Sequence, residues 1–299
     1  MKSVLTLAAV ASSVVAFDGS VGAAGPPGDM SEQDWRSWFK NPNATGTFAF
    51  EAFNVSENFP PDETVDGWGA SIQVANITDD PEADVPYPGV DISIKAPNGM
   101  RLPELNSSRT NSSNWHLCLS FWSPDKLDDD ATDDAQDDNG DCSSFLSDDC
   151  IDALKLRGNA YYWDGDKCTR MSSSVPEACK KYYGDGDTYS ATIGANLSRF
   201  DGSTLISQRP QLTGEEDFAM SEEEAYYYAV RGVWTVLISW GRRNESSYDT
   251  SDILQPTLLC LHTRNFTEGS ENPNAGVRTT IYGSMTTFVT LLASILLTY

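Results

Sequence analysis

The chain has 299 residues, with 20 Lys and Arg against 44 Asp and Glu, a formal net charge of −24. So negative a field repels nucleic acid and anionic membrane surfaces, and suits a solvated surface protein or one that meets cations or basic polymers. Apolar residues make up 39% and aromatics 11%, which supplies a core and argues against global disorder.

The N-terminus opens on Met1-Lys2 and then runs apolar or small from Val4 to Ala16. Val14-Val15-Ala16 and Val21-Gly22-Ala23 both place small residues where a signal peptidase cuts. This predicts a secretory signal peptide of 16 to 24 residues, with 1–23 set aside from the fold. A Gly/Pro-rich linker, 24–43, follows, with one helical turn in W-R-S-W-F.

From 44 to 266 the text reads as one β domain. Thr45–Phe53 has the aromatic content of a strand, and Trp68–Ile77 places Ala70, Ile72 and Val74 on one face. Val90–Ala96 alternates Val90, Ile92, Ile94 inward with Asp91, Ser93, Lys95 outward, and stops at Pro97-Asn98-Gly99. Trp115–Trp122 is the next strand.

An insertion, 123–187, begins with a stretch holding eleven aspartates between Asp125 and Asp149 against one base, Lys126. Like charges at that density oppose compaction, so 125–141 is expected as a disordered, mobile loop. Ser147-Asp148-Asp149 can cap a helix running through Leu156, with Gly158 closing it. Tyr189–Leu197 and the stretch around Leu205 are weaker strands, and Ser221-Glu222-Glu223-Glu224 resembles a capping box before a helix or strand over 225–230. Val233–Trp240 is a largely buried strand, and Leu258–Thr263 closes the domain. These elements predict a mainly β fold, an antiparallel β-sandwich with a disulfide-bearing, partly helical insertion and an acidic loop.

A polar stem, 267–274, leads to the C-terminal tail. Asn274, Ala275 and Gly276 are small, Val277–Ser284 is a mostly polar spacer, and Met285–Tyr299 is an apolar run of 15 residues. A bilayer-spanning helix needs about 20 apolar residues, and no Lys or Arg follows Leu297. The order matches a glycosylphosphatidylinositol (GPI) attachment signal, with the lipid joined to Asn274 and 275–299 removed. The implied partners are a membrane through that lipid, with wall polysaccharide or other surface proteins as further contacts. No cofactor is expected.

Eight N-glycosylation sequons stand at Asn43, Asn54, Asn76, Asn106, Asn111, Asn196, Asn244 and Asn265, which should mark exposed loops and strand ends. Six cysteines on an oxidising route read as three disulfides. Six allow 15 connectivities; the expected one joins Cys118 to Cys260 and pairs Cys142, Cys150, Cys168 and Cys179 among themselves.

Chemistry is sparse. His116 and His262 lie two residues from Cys118 and Cys260, so a Cys2His2 zinc set is conceivable, but export favours a disulfide there and no metal is expected. A calcium loop would place its first ligand at Ala135 and its twelfth at Leu146, which are not ligands. Neither G-x-S-x-G nor H-E-x-x-H occurs, and no plausible leader cleavage exposes a histidine for copper. A glycosidase needs two suitably spaced carboxylates, and with so many acids no pair can be singled out, so catalytic residues stay unassigned.

The Trp115-x-x-Cys118 strand, the Cys142-Ser-Ser-x-Leu-x-x-x-Cys150 insertion, Val233-Trp234 through Trp240 and the tail together resemble secreted, GPI-anchored glycoproteins of filamentous ascomycete fungi. The resemblance implies a host type and a location, and carries over neither an activity nor a catalytic residue. The leading expectation is a non-catalytic surface or wall glycoprotein with a structural or adhesive role. The alternatives are an anchored enzyme remodelling wall polysaccharide and a cation- or ligand-binding surface module.

Overall fold

Two antiparallel sheets close on a shared apolar interior in the computed structural model. It describes residues 19–81, 83, 86–102, 115–124, 127–158, 161–164, 167–170, 174–185, 189–194, 201–210, 222–242, 253–268 and 270. The larger sheet contains β1 (Gly19–Ala23), β2 (Ala44–Phe53), β3 (Thr64–Ile77), β4 (Tyr87–Lys95), β9 (Asp201–Pro210) and β12 (Asn265–Phe266), in the order β1-β9-β4-β3-β2-β12. The smaller contains β5 (Trp115–Trp122), β8 (Tyr189–Gly194), β10 (Trp234–Arg242) and β11 (Thr257–Leu261), in the order β11-β10-β5-β8. A separate hairpin joins β6 (Tyr161–Asp164) to β7 (Lys167–Arg170).

Period-2 alternation sets the faces. Ala70, Ile72 and Val74 of β3 and Val90, Ile92 and Ile94 of β4 pack against Leu117, Leu119 and Phe121 of β5 and Val236 and Ile238 of β10. Trp68, Trp115, Trp234 and Trp240 are buried in the same layer. The indole N–H groups of Trp68 and Trp115 donate to the carbonyls of Phe53 and Glu57, and that of Trp240 donates to Thr257 Oγ1. Large aromatics can therefore fill this layer without leaving those donors unpaired.

Two short elements cover what the sheets leave open. Helix α1 (Glu32–Ser37), capped by Ser31, lays Trp35 and the following Phe39 over Ala75, Ile77 and Tyr87 on the outer side of the larger sheet. The capping-box segment forms helix α5 (Glu222–Arg231), whose Ala229 and Val230 join the sandwich core and which packs on β4. Strand β1 lies within the stretch expected to be removed as a leader. The expected GPI tail 275–299, the expected attachment residue Asn274 and the residues before Gly19 lie outside the described residues. Among the described residues no helix is long and apolar enough to cross a membrane.

Candidate functional site

The outer face of the smaller sheet carries the insertion. Trp122, Leu237, Leu258 and Cys260 form its floor, and Leu127, Ala131, Ala135, Phe145, Leu146, Leu154 and Tyr183 close over them. Helix α3 (Asp148–Gly158) ends where Gly158 meets the sheet. A Cβ there would stand 2.4 Å from Pro256 and 3.0 Å from Ser239 Oγ, so no larger residue fits.

The acidic stretch is folded, which corrects the expectation of a mobile loop. Residues 127–138 form helix α2 (Asp129–Asp134) and a 3-10 turn over 135–137; residues 125 and 126 lie outside the described residues. Leu127 before the cap, Ala131 within α2 and Ala135 at its end are all buried, so the apolar side of this short helix and its flanks meets the floor while the acids of α2 face outward. Asp128 Oδ1 accepts the Ala131 amide at 2.8 Å, Asp133 pairs with Arg231 of α5, and Gln136 Nε2 donates to the Arg231 carbonyl at 2.8 Å. Burial of this apolar side and these ties outweigh repulsion among charges that solvent screens.

Beyond the turn the chain winds around Asp138, which is 1% exposed. Its Oδ1 accepts the amides of Gly140 and Cys142 at 2.6 and 3.0 Å; its Oδ2 accepts the Ser144 amide and hydroxyl at 3.1 and 2.9 Å. This carboxylate thus organises a turn through backbone donors and is not left open for a cation. Its carbonyl faces His262 Nε2 at 3.1 Å and accepts from Arg264 Nη2. Gly140, at φ +101°, lies against Phe48 of β2, where a Cβ would come within 2.6 Å of the ring.

The turn delivers Cys142 to Cys260, and Cys150 of α3 bonds Cys179. Cys118 is also disulfide-bonded. The expected Cys118–Cys260 bridge is therefore wrong. The reason is register: β10 lies between β5 and β11, with Thr235 opposite Cys260 and Ser239 opposite Cys118. Two interstrand steps of about 4.8 Å and a four-residue offset exceed the roughly 7 Å over which a disulfide can close. The same register separates the histidines. His116 faces Gly241 at one end of β10, whereas His262 follows Leu261, which faces Trp234 at the other. Seven residues of strand or more put them on the order of 25 Å apart, so no zinc set can assemble from both. Among the described residues no group of three or more His, Cys, Asp or Glu is placed to hold a metal.

A depression of about 400 Å³ opens between α2 and helix α4 (Lys180–Tyr183), lined by Asp128, Asp129, Asp130, Asp134, Lys181 and Tyr182. The Tyr182 hydroxyl accepts the Ser147 amide at 2.9 Å, and Lys181 Nζ stands 4.4 Å from its ring. Partial burial opposes ionisation of this phenol, yet hydrogen bonds from Lys181 and Ser147 bring it below the usual tyrosine range. Such an acidic surface suits a basic group.

A second polar cluster lies under α1. Asp91 is 1% exposed and accepts Trp35 Nε1 at 2.9 Å and Thr204 Oγ1 at 2.6 Å, both on Oδ2, while Oδ1 has no partner. Burial raises its carboxyl above the ordinary aspartate range, against the lowering effects of Thr204, Arg36 and Trp35. Alternation alone placed Asp91 outward; only the overlying helix makes that outward position a buried one.

Of the sequons, Asn76 and Asn265 are exposed, whereas Asn43 and Asn54 are half-buried. Asn43 Nδ2 donates to Ser270 Oγ at 3.2 Å and its Oδ1 accepts the Asn76 amide at 2.8 Å; Asn54 Nδ2 donates to Glu57 at 2.7 Å. Asn106, Asn111, Asn196 and Asn244 lie outside the described residues, as does the Cys168 side chain. No family model, curated protein or solved structure matches the chain.

Proposed function

We propose that the chain is an exported, GPI-anchored glycoprotein of the cell surface or wall, structural or adhesive and without catalysis of its own. One observation carries most weight: five of the acids among the described residues are engaged in holding the fold. Asp128 caps α2, Asp133 pairs with Arg231, Asp138 gathers the Cys142 turn, Asp141 accepts from Ser143, and Asp91 anchors Trp35. Two further features support the reading. The Cys142–Cys260 disulfide ties the insertion to the sandwich and Cys150–Cys179 braces the insertion itself, as suits an extracellular domain. Ser270, within the expected polar stem, lies beside Asn43 and the β2–β12 edge.

The acidic depression favours a second reading, a surface module for a cation or basic ligand, which calorimetric titration with calcium and with a lysine-rich peptide would reveal. For the leading reading, phosphatidylinositol-specific phospholipase C should release the mature protein from membranes of a eukaryotic secretory host. Retention of a chain that still yields peptides from Met285–Tyr299 would overturn it.

A further inference from the structure

We infer that the secretory leader is cut at the Ala16–Phe17 bond and that Gly19–Ala23 stays in the working molecule as an edge strand of the larger sheet. The inference rests on the export reading above and adds a processing site to it. The sequence permits two cuts. Val14 and Ala16 meet the small-residue requirement at one, Val21 and Ala23 at the other. An 8-residue apolar run, Val4–Ala11, followed by Ser12-Ser13, completes a leader for the earlier cut, and both leaders fall within the usual length of about 15–30 residues.

The fold distinguishes them. β1 pairs antiparallel with β9 over five positions, from Gly19 opposite Pro210 to Ala23 opposite Ile206. Val21 packs against the sandwich core. The chain then turns over the same strand: the Ala24 amide donates to the Leu205 carbonyl at 2.6 Å, and Ser207 Oγ donates to the Gly25 carbonyl at 3.0 Å. Gly22 sits inside this turn, where a Cβ would lie 2.3 Å from the Pro26 carbonyl oxygen. A cut after Ala23 would delete every β1 partner of β9. It would strip five positions of β9, Ile206–Pro210, of the strand paired to them and remove Val21 from the core; backbone opened in this way is a template for chain-to-chain pairing. A cut after Ala16 leaves Phe17 and Asp18 ahead of the first paired residue. Signal peptidase would add water across the amide, leaving a carboxylate on Ala16 and an ammonium on Phe17.

The test is N-terminal sequencing of the full chain after secretion from a eukaryotic host and deglycosylation. Phe17 as the first residue supports the inference. Ala24 as the first residue overturns it while leaving export intact, and an unprocessed Met1 on an unglycosylated intracellular chain removes the export reading itself. As a second measurement, chains beginning at Phe17 and at Ala24 are secreted behind one heterologous leader. The shorter is expected to melt about 5 °C or more below the longer and to aggregate; equal melting temperatures would refute the structural role of β1.

Discussion

The Cys142–Cys260 bridge offers the sharpest quantitative test of the architecture. It closes a loop of 118 residues, whereas Cys150–Cys179 closes one of 29. In the chain-entropy account, cross-linking removes about 2.1 + 1.5R ln n cal/mol/K from the unfolded ensemble, or about 4.9 kcal/mol for the longer loop and about 3.6 kcal/mol for the shorter at 25 °C. With Cys150–Cys179 intact the longer loop is shortened to about 90 residues, which lowers its figure only to about 4.6 kcal/mol. Replacing Cys142 and Cys260 together by Ala should therefore cost about 1 kcal/mol more than replacing Cys150 and Cys179. At about 2–4 °C per kcal/mol for a domain of this size, melting should fall by roughly 10–20 °C for the first pair. Urea unfolding followed by fluorescence of buried Trp234 and Trp240 reads both. A loss below about 1 kcal/mol for the Cys142/Cys260 pair, or a larger loss for Cys150/Cys179, would refute the reasoning.

Much of the sandwich is legible in the text because its strands are amphipathic or wholly apolar. Val90–Lys95 alternates cleanly, and Trp115–Trp122 and Val233–Trp240 are β-rich and sit where β5 and β10 form. What escaped the pattern did so for physical reasons. β1, Gly-Ser-Val-Gly-Ala, has one large apolar side chain and lies in text that also reads as a leader. The two-residue β12 and the hairpin β6–β7 are too short to show a period. In the acidic stretch, charge density concealed the weaker apolar side of Leu127, Ala131 and Ala135, two of them small. The Cys118–Cys260 pairing failed because neither spacing nor strand composition reveals that β10 intervenes between β5 and β11.

The acids of this chain thus divide by position. Those on the outer side of α2 give the surface its negative field, while Asp91 and Asp138 act inside the protein as acceptors for neighbouring donors. Net charge is read directly from the sequence, but which carboxylates are internal depends on the two elements laid over the sheets, α1 and the insertion.

Two predictions separate those internal roles. Burial raises the folded-state Asp91 carboxyl, so its contribution to stability is complete below the ordinary aspartate range and is lost as pH rises through the raised value. Asp91→Asn should remove that loss, so the variant gains on the wild type as pH rises from the ordinary aspartate range through the raised value; an unchanged difference in urea midpoint would contradict the assignment. Asp138 acts through its hydrogen bonds, with four donors aimed at its carboxylate. Asp138→Ala leaves the buried Gly140 and Cys142 amides without acceptors, at about 1–3 kcal/mol each, for a total of roughly 2–6 kcal/mol. Asp138→Asn keeps an oxygen for those two amides but turns an N–H toward the Ser144 amide, so about half that loss is expected. Because the turn also positions Cys142, the alanine variant should show free thiol at Cys142 and Cys260 in non-reducing peptide maps. Full oxidation with less than about 1 kcal/mol lost would mean that the disulfide holds the turn rather than the carboxylate holding the disulfide.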